Sequence, residues 1–332
     1  MNNKFKTLCL FLLISIFAAA QQPVKIGFSV GDFSSDRWSQ EPKFFEDEAK
    51  ALGAEVLFEY AYGDAVKQLE QVRKLIQSGI KVLLVFPTST ENWIPVVEEA
   101  HKAGIQVIAY ERMLKDAPVD YFFSFQNEGV GRQQAQYAVD RRPKGNYLLL
   151  GGPTTDLNSL LFMKGQKEVL KPYIDKGDIK IVFEKHLNTW NAIDAFTEVQ
   201  SFLNSTTQID AILAANDDLA GGALMALDMA STEHTIIITG QDATAGGCQS
   251  IIDGKQSMTV YKSIYNLAKE AARTAVKLAK DEPIIAMDVV NNGVKDIPAV
   301  LLKTIAVDKS NIKETVIADG FIKADQLNWP KE

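Results

Sequence analysis

The chain has 332 residues, enough for two domains that each bury a core of their own. Apolar residues make up 46% and charged residues 23%, the balance of a folded globular protein rather than a disordered or fibrous one. A net charge of −7 without basic clusters argues against nucleic acid and anionic membrane surfaces as partners.

The N-terminus reads as a secretory signal peptide. Lys4 and Lys6 precede an apolar run from Leu8 to Phe17, and Ala18-Ala19-Ala20 offers a small-residue cleavage site before Gln21. The run is about ten residues, well short of the roughly twenty needed to span a bilayer. Residues 1–20 are therefore expected to be removed and the product exported. Cys9 stands at the start of the apolar run and not at its small-residue end, which argues against lipidation. Cleavage leaves 33 basic against 42 acidic residues, a net charge of −9, and Cys248 as the one cysteine. No internal disulfide is then available, and stability must come from the cores.

From Val24 onward short apolar runs alternate with stretches of helical periodicity, the pattern of repeated βα units and a parallel sheet. Strands are predicted at 24–30, 55–60, 82–86, 106–110 and 121–125, with helices near 38–52, 64–78 and 91–103. Gly53, Gly79 and Gly104 each follow a helix and precede a strand, as left-handed C-caps do.

The series then restarts. Helices are predicted at 127–140, 158–171, 192–203, 218–229, 243–252 and 266–280, and strands at 146–150, 179–183, 211–214, 235–239 and 258–261. This is an α/β chain of two doubly wound, Rossmann-like parallel-sheet lobes. No Pro- or Ser-rich tether separates them, so ordered segments must make the crossings. Candidates are Gln126, 257–261 and 291–296. That divides the chain into a first lobe of 21–126 plus 262–292 and a second of 127–261 plus 293–332. The tail from Val300 to Phe321 reads as further strand.

In open parallel sheets ligands bind beyond the carboxyl ends of the strands, where helix N-termini and free amides point. Those ends collect Asp32 to Trp38, Glu111-Arg112, Asp156 to Asn158, Asn216-Asp217, Gln241-Asp242 and Lys262, with Trp190 at another strand-to-helix loop. Amides, carboxylates, guanidiniums, an ammonium and two indoles suit a polyhydroxylated ring, because each hydroxyl both donates and accepts. Trp38 and Trp190 offer flat surfaces for its C–H faces. Taken singly, Asp217 and Asp242 read as N-caps of the helices that follow them, and a Trp at a helix start as core. The residues alone stop at a small polar ligand.

Other chemistries find less support. Gly27-Phe28-Ser29-Val30-Gly31 lacks the full dinucleotide fingerprint. His101, His186 and His234 have no metal-ligand spacing. No metal, cofactor or catalytic residue is expected. Glu111, Asp156 and Asp242 could in principle serve as glycosidase carboxylates, although hydrogen bonding to hydroxyls is the plainer role.

The chain resembles the periplasmic sugar-binding proteins of the ribose-binding class. The likeness runs through nearly the whole chain after residue 20. It is carried by Asp36-Arg37-Trp38, Val107 to Met113, Gly145-Asn146-Tyr147, Ala215-Asn216-Asp217, Gly240 to Ala243, Met258 to Lys262 and Asn291-Asn292-Gly293. The resemblance implies a type I periplasmic binding protein whose lobes are joined by a three-segment hinge. It implies capture of one aldopyranose, D-xylose first, and delivery to the membrane permease of an ABC-type importer by a monomer. A sensing role with a membrane histidine kinase or chemoreceptor is the alternative. Hydroxyl contacts then fall to Arg37, Arg112, Asp156, Asn158, Asn216, Asp242 and Lys262, with stacking on Trp38 and Trp190. Glu111 stands where the family pattern has Asp, Leu157 where it has Asn, and Gln40 where it has Lys. The longer Glu111 is expected either to push its carboxylate into the cleft or to fold back on Arg112.

Overall fold

The computed structural model describes residues 23–31, 36–204, 208–231 and 235–329, with residues 36–39 described by their backbone alone. The expected signal peptide, Asp32 to Ser35, His234 and the side chains of Arg37 and Trp38 lie outside the described residues. No described helix is long and apolar enough to cross a membrane.

The first sheet is built from β1 (Val24–Val30), β2 (Ala54–Tyr60), β3 (Val82–Phe86), β4 (Gln106–Tyr110) and β5 (Tyr121–Phe125), which pair in parallel in the order β5-β4-β3-β1-β2. All five residues of β3 are buried, as expected of a central parallel strand covered on both faces. Helices α1 (Asp36–Ala51), α2 (Ala65–Gln77) and α3 (Ile94–Lys102) connect these strands. Gly53, Gly79 and Gly104 adopt φ of 82°, 80° and 73°, the left-handed C-caps foreseen from sequence.

The second sheet has β6 (Gly145–Gly151), β7 (Ile179–His186), β8 (Ala211–Ala214) and β9 (Ile237–Thr239), in the parallel order β7-β6-β8-β9. Around it lie α4 (Asn127–Arg141), α5 (Leu157–Asp175), α6 (Ala192–Leu203), α7 (Asp217–Met229) and α8 (Ala245–Ile252). After β10 (Thr259–Tyr261) the chain returns to the first lobe as α9 (Ile264–Ala279), whose buried face of Leu267, Ala268, Ala271, Ala272 and Ala275 closes the core with Phe28 and Phe45.

The third crossing is not where the sequence reading put it. Asn291 to Asp296 is the turn of an antiparallel hairpin between β11 (Asp288–Asn291) and β12 (Asp296–Leu302), and β12 pairs in parallel with β5. Residues 296–302 thus extend the first sheet instead of belonging to the second lobe. Burial explains the choice: Ile297 and Ala299 complete the core cluster that contains Phe122. The chain crosses after Leu302, and β13 (Ile305–Val307) pairs antiparallel with β10. The rest of the tail is not strand; a helical turn at Lys313–Ile317 follows, and Ile312, Val316 and Phe321 pack against α8.

Candidate functional site

At the end of β4 the backbone turns abruptly, with Glu111 at φ 63°. Its N–H donates to the Phe123 carbonyl at 2.7 Å, which fixes the turn against β5. The side chain goes inward and pairs with Lys262: Nζ to Oε1 is 2.8 Å, with both side chains almost wholly buried. The Lys262 ammonium also lies 5.5 Å from the ring centroids of Phe125 and Phe162, one ring from each lobe. Glu111 therefore does not fold back on Arg112, as one sequence alternative had it.

Arg112 faces the other lobe. Its Nε is 3.2 Å from Asp156 Oδ2, and its guanidinium sits 5.1 Å over the ring of Phe86. Asp156 is fixed by its place as N-cap of α5, where Oδ1 accepts from the Asn158 N–H at 2.9 Å. Asn158 Nδ2 donates to the Glu111 carbonyl at 3.1 Å, and its Oδ1 accepts from Asn127 Nδ2 at 2.7 Å. Thr90 Oγ1 donates to the Thr155 carbonyl at 3.1 Å. Leu157 packs on the first-lobe core cluster. One short segment, 155–158, thus meets the first lobe at each of its four residues.

Trp190 lies near the mouth of this contact. It lines a cavity of about 230 Å³ with Ser89, Thr90, Arg112 and Asp156 among others. Its ring meets Phe162 edge-on at 6.4 Å and lies so close to Gly152 that a Cβ there would strike the indole. That close approach gives Gly152 its reason, as the ring of His186 does for Gly151.

Asn216 and Asp242 occupy neighbouring strand ends of the second lobe, bridged by the Asp217 N–H donating to the Gln241 carbonyl at 2.9 Å. Asn216 caps α7 through Leu219 N, and Thr244 caps α8 through Gly247 N. The cap roles considered for Asp217 and Asp242 are thereby overturned, because each helix starts one or more residues away from where periodicity suggested. Asp242 instead takes φ 95° and accepts a short hydrogen bond from Gln241 Nε2.

Of the expected site residues, Glu111, Arg112, Asp156, Asn158 and Lys262 form one connected set, Trp190 borders it, and Asn216 and Asp242 stand together at β8 and β9. Gln40, at the expected cleft mouth, has Nε2 3.5 Å from the Phe321 carbonyl. Asn127 and Thr90 went unnoticed in sequence; Asn127 opens a helix just after a strand, which is the signal that could have found it. Among the described residues no group of three or more His, Cys, Asp or Glu could hold a metal ion. His101 pairs with Asp120 at 2.9 Å and His186 Nδ1 lies 2.9 Å from the Gly152 carbonyl, both as part of the framework.

Two doubly wound lobes that meet over buried polar groups at their strand ends define a protein of the two-lobed solute-binding class. The chain belongs to the periplasmic binding protein family: the model described as "Periplasmic binding protein domain" matches residues 26–283. It is 42% identical to the D-xylose-binding periplasmic protein of Escherichia coli strain K12 over 98% of this chain and 99% of that protein. Its identity to the D-xylose-binding periplasmic protein of Haemophilus influenzae is 41%, covering 97% and 98%. The crystal structure of an ABC transporter solute binding protein from Clostridium phytofermentans with bound β-D-glucose superposes with a TM-score of 0.84 at 30% identity, covering 92% of this chain and all of that one.

Proposed function

We propose that the protein is a receptor, and not an enzyme, that captures an aldopyranose, D-xylose first, between its lobes and delivers it to the membrane permease of an ABC-type importer. The observation that carries this reading is the connected set Glu111, Arg112, Asp156, Asn158 and Lys262, all buried except the half-buried Arg112 and contributed by strand ends of both lobes. The D-xylose-binding proteins it resembles over almost their whole length support the choice of sugar.

Charged and amide groups that alternate as donors and acceptors bracket ring hydroxyls, each of which must both give and receive a hydrogen bond. Trp190, with Trp38 as its counterpart from sequence, supplies stacking area for the C–H faces. The hydroxyls reach both lobes only when the cleft is shut, so the sugar shifts an open-to-closed equilibrium and the permease meets the closed form. In this reading the protein works as a monomer in the periplasm after cleavage near Ala20 and Gln21, consistent with its periplasmic relatives.

A thermal-shift panel of pentoses and hexoses tests it. A sugar present at a hundred times its Kd stabilises the folded protein by about 2.7 kcal/mol, and D-xylose should raise Tm most. No shift with any monosaccharide would overturn the reading.

A further inference from the structure

Asp217 has a role that sugar contact leaves unexplained. It follows Asn216 at the start of α7 and is 5% exposed, yet it does not cap the helix. Its carboxylate reaches under the loop between β9 and α8. Oδ2 accepts from the Thr244 N–H at 2.8 Å and from Thr244 Oγ1 at 3.3 Å, and Oδ1 accepts from Gln256 Nε2 at 2.8 Å. Space is kept for it on both sides, since a Cβ on either Gly240 or Gly247 would collide with the Asp217 carboxylate oxygens.

Between those glycines lies a strained turn. Asp242 and Ala243 adopt φ of 95° and 52°, in the left-handed region that side-chain-bearing residues adopt only when their surroundings hold them there. Asp217 grips this turn on both sides, at the Gln241 carbonyl before it and at the Thr244 N–H after it. We propose that Asp217 is a positioning residue for ligand recognition, a buried clamp whose ionised carboxylate holds the Gln241–Thr244 turn so that Asp242 presents its own carboxylate to the sugar. The inference rests on the reading of Asp242 as a sugar contact.

An ionised carboxylate accepts at both oxygens, as this geometry requires; a protonated one would turn an O–H toward a donor already in place. Burial pushes the Asp217 carboxyl up to about 7, and the nearby Asp242 charge acts in the same direction. The hydrogen bonds from Gln256, Thr259 and the Thr244 backbone oppose it. The titratable groups nearby are Asp242 in the loop, Asp218 on the same helix, and Cys248 on α8, whose thiol burial holds in its neutral form. Protonation near neutral pH therefore loosens the clamp.

The test is D-xylose affinity from pH 5.5 to 8.5 for the full protein, Asp217→Asn and Gln256→Leu. Loss of one hydrogen bond to a charged group corresponds to about a tenfold change. The parent should bind about tenfold more weakly at the acid end. Asp217→Asn should bind about tenfold more weakly at pH 8.5 and respond little to pH. Gln256→Leu, which removes a donor that favours the ionised form, should move the midpoint of the profile upward. Hydrogen exchange in the sugar-free proteins should be faster across 240–247 in Asp217→Asn and unchanged in β6 and β8, which also shows that the lobe is folded. A flat parent profile, or Asp217→Asn binding as tightly as the parent, overturns the inference and leaves the sugar reading standing. If Asp217→Asn does not fold, an unmoved midpoint in Gln256→Leu overturns it. If the parent binds no monosaccharide, both fall.

Discussion

Lys262 Nζ lies 2.8 Å from Glu111 Oε1, and neither side chain is more than 4% exposed. The pair ties the end of β4 to the segment through which the chain crosses between the lobes. The extra methylene of Glu111 is spent reaching Lys262, while Arg112 turns to Asp156. Lys262→Met would take the cation away from a buried carboxylate and should lower stability by about 3–5 kcal/mol. The double change Glu111→Gln with Lys262→Met should recover much of that loss while still binding sugar poorly. Glu111→Asp, shorter by about 1.5 Å of reach, draws the carboxylate away from Lys262 and should lower Tm, by less than Lys262→Met, as well as weaken or redirect sugar binding. Denaturant melts and sugar titrations of this set check the account; additive losses in the double variant would contradict it.

In the proposed sugar site Asp242 accepts from hydroxyls sealed away from water, and Asp242→Ala removes that acceptor. Affinity for D-xylose should fall by about 1–3 kcal/mol with stability nearly unchanged, as measured by calorimetry and a thermal melt. Parent-like binding would mean that the sugar does not reach this strand end.

Trp190 rests on the bare backbone of Gly152, so two different changes should act alike. Trp190→Ala removes the stacking surface and should cost about 1–3 kcal/mol of binding. Gly152→Val should displace the indole and weaken binding in the same direction, visible as a shift in tryptophan fluorescence.

Asp217 links stability to pH. Its carboxyl titrates near the ordinary 3.8 when unfolded and near 7 when folded, so between those values the folded state binds more protons. The stability tied to this group is present below pH 4 and is lost as pH rises toward 7. Without sugar, the Tm of Asp217→Asn relative to the parent should therefore improve from pH 5 to pH 8. A constant difference would show that Asp217 is not protonated in the folded protein.

Cys248 is fully buried in α8, with its Sγ 3.6 Å from the Ala243 carbonyl, and burial raises its thiol well above the usual range. A thiol reagent at pH 8 should leave the native protein unlabelled and react once denaturant unfolds it. Rapid labelling of the native protein would contradict the packing of the cluster with Ile252 and Val307.

Most of the architecture was legible because continuous apolar runs and capping glycines are local signals. Val82–Phe86 announces a central strand whatever surrounds it. The grouping of Glu111, Arg112, Asp156, Asn158 and Lys262 was legible as well, since parallel topology brings strand ends to one edge of each sheet. What was missed depends on partners distant in sequence. Nothing local in Asp296–Leu302 says that β5 needs a neighbour. Nothing in Asn216-Asp217 says that the first residue caps α7 while the second reaches under the turn at Thr244. The pairing of Glu111 with Lys262, far apart in the chain, exists only once both lobes are folded.

The central claim is that one aldopyranose is held between the lobes. Calorimetric titration of D-xylose into the purified protein, in parallel with Asp242→Ala, tests it most directly. The account predicts one-to-one binding with a negative heat-capacity change as the cleft closes, and markedly weaker binding in the variant. Absence of heat with D-xylose and with every other pentose and hexose would contradict it.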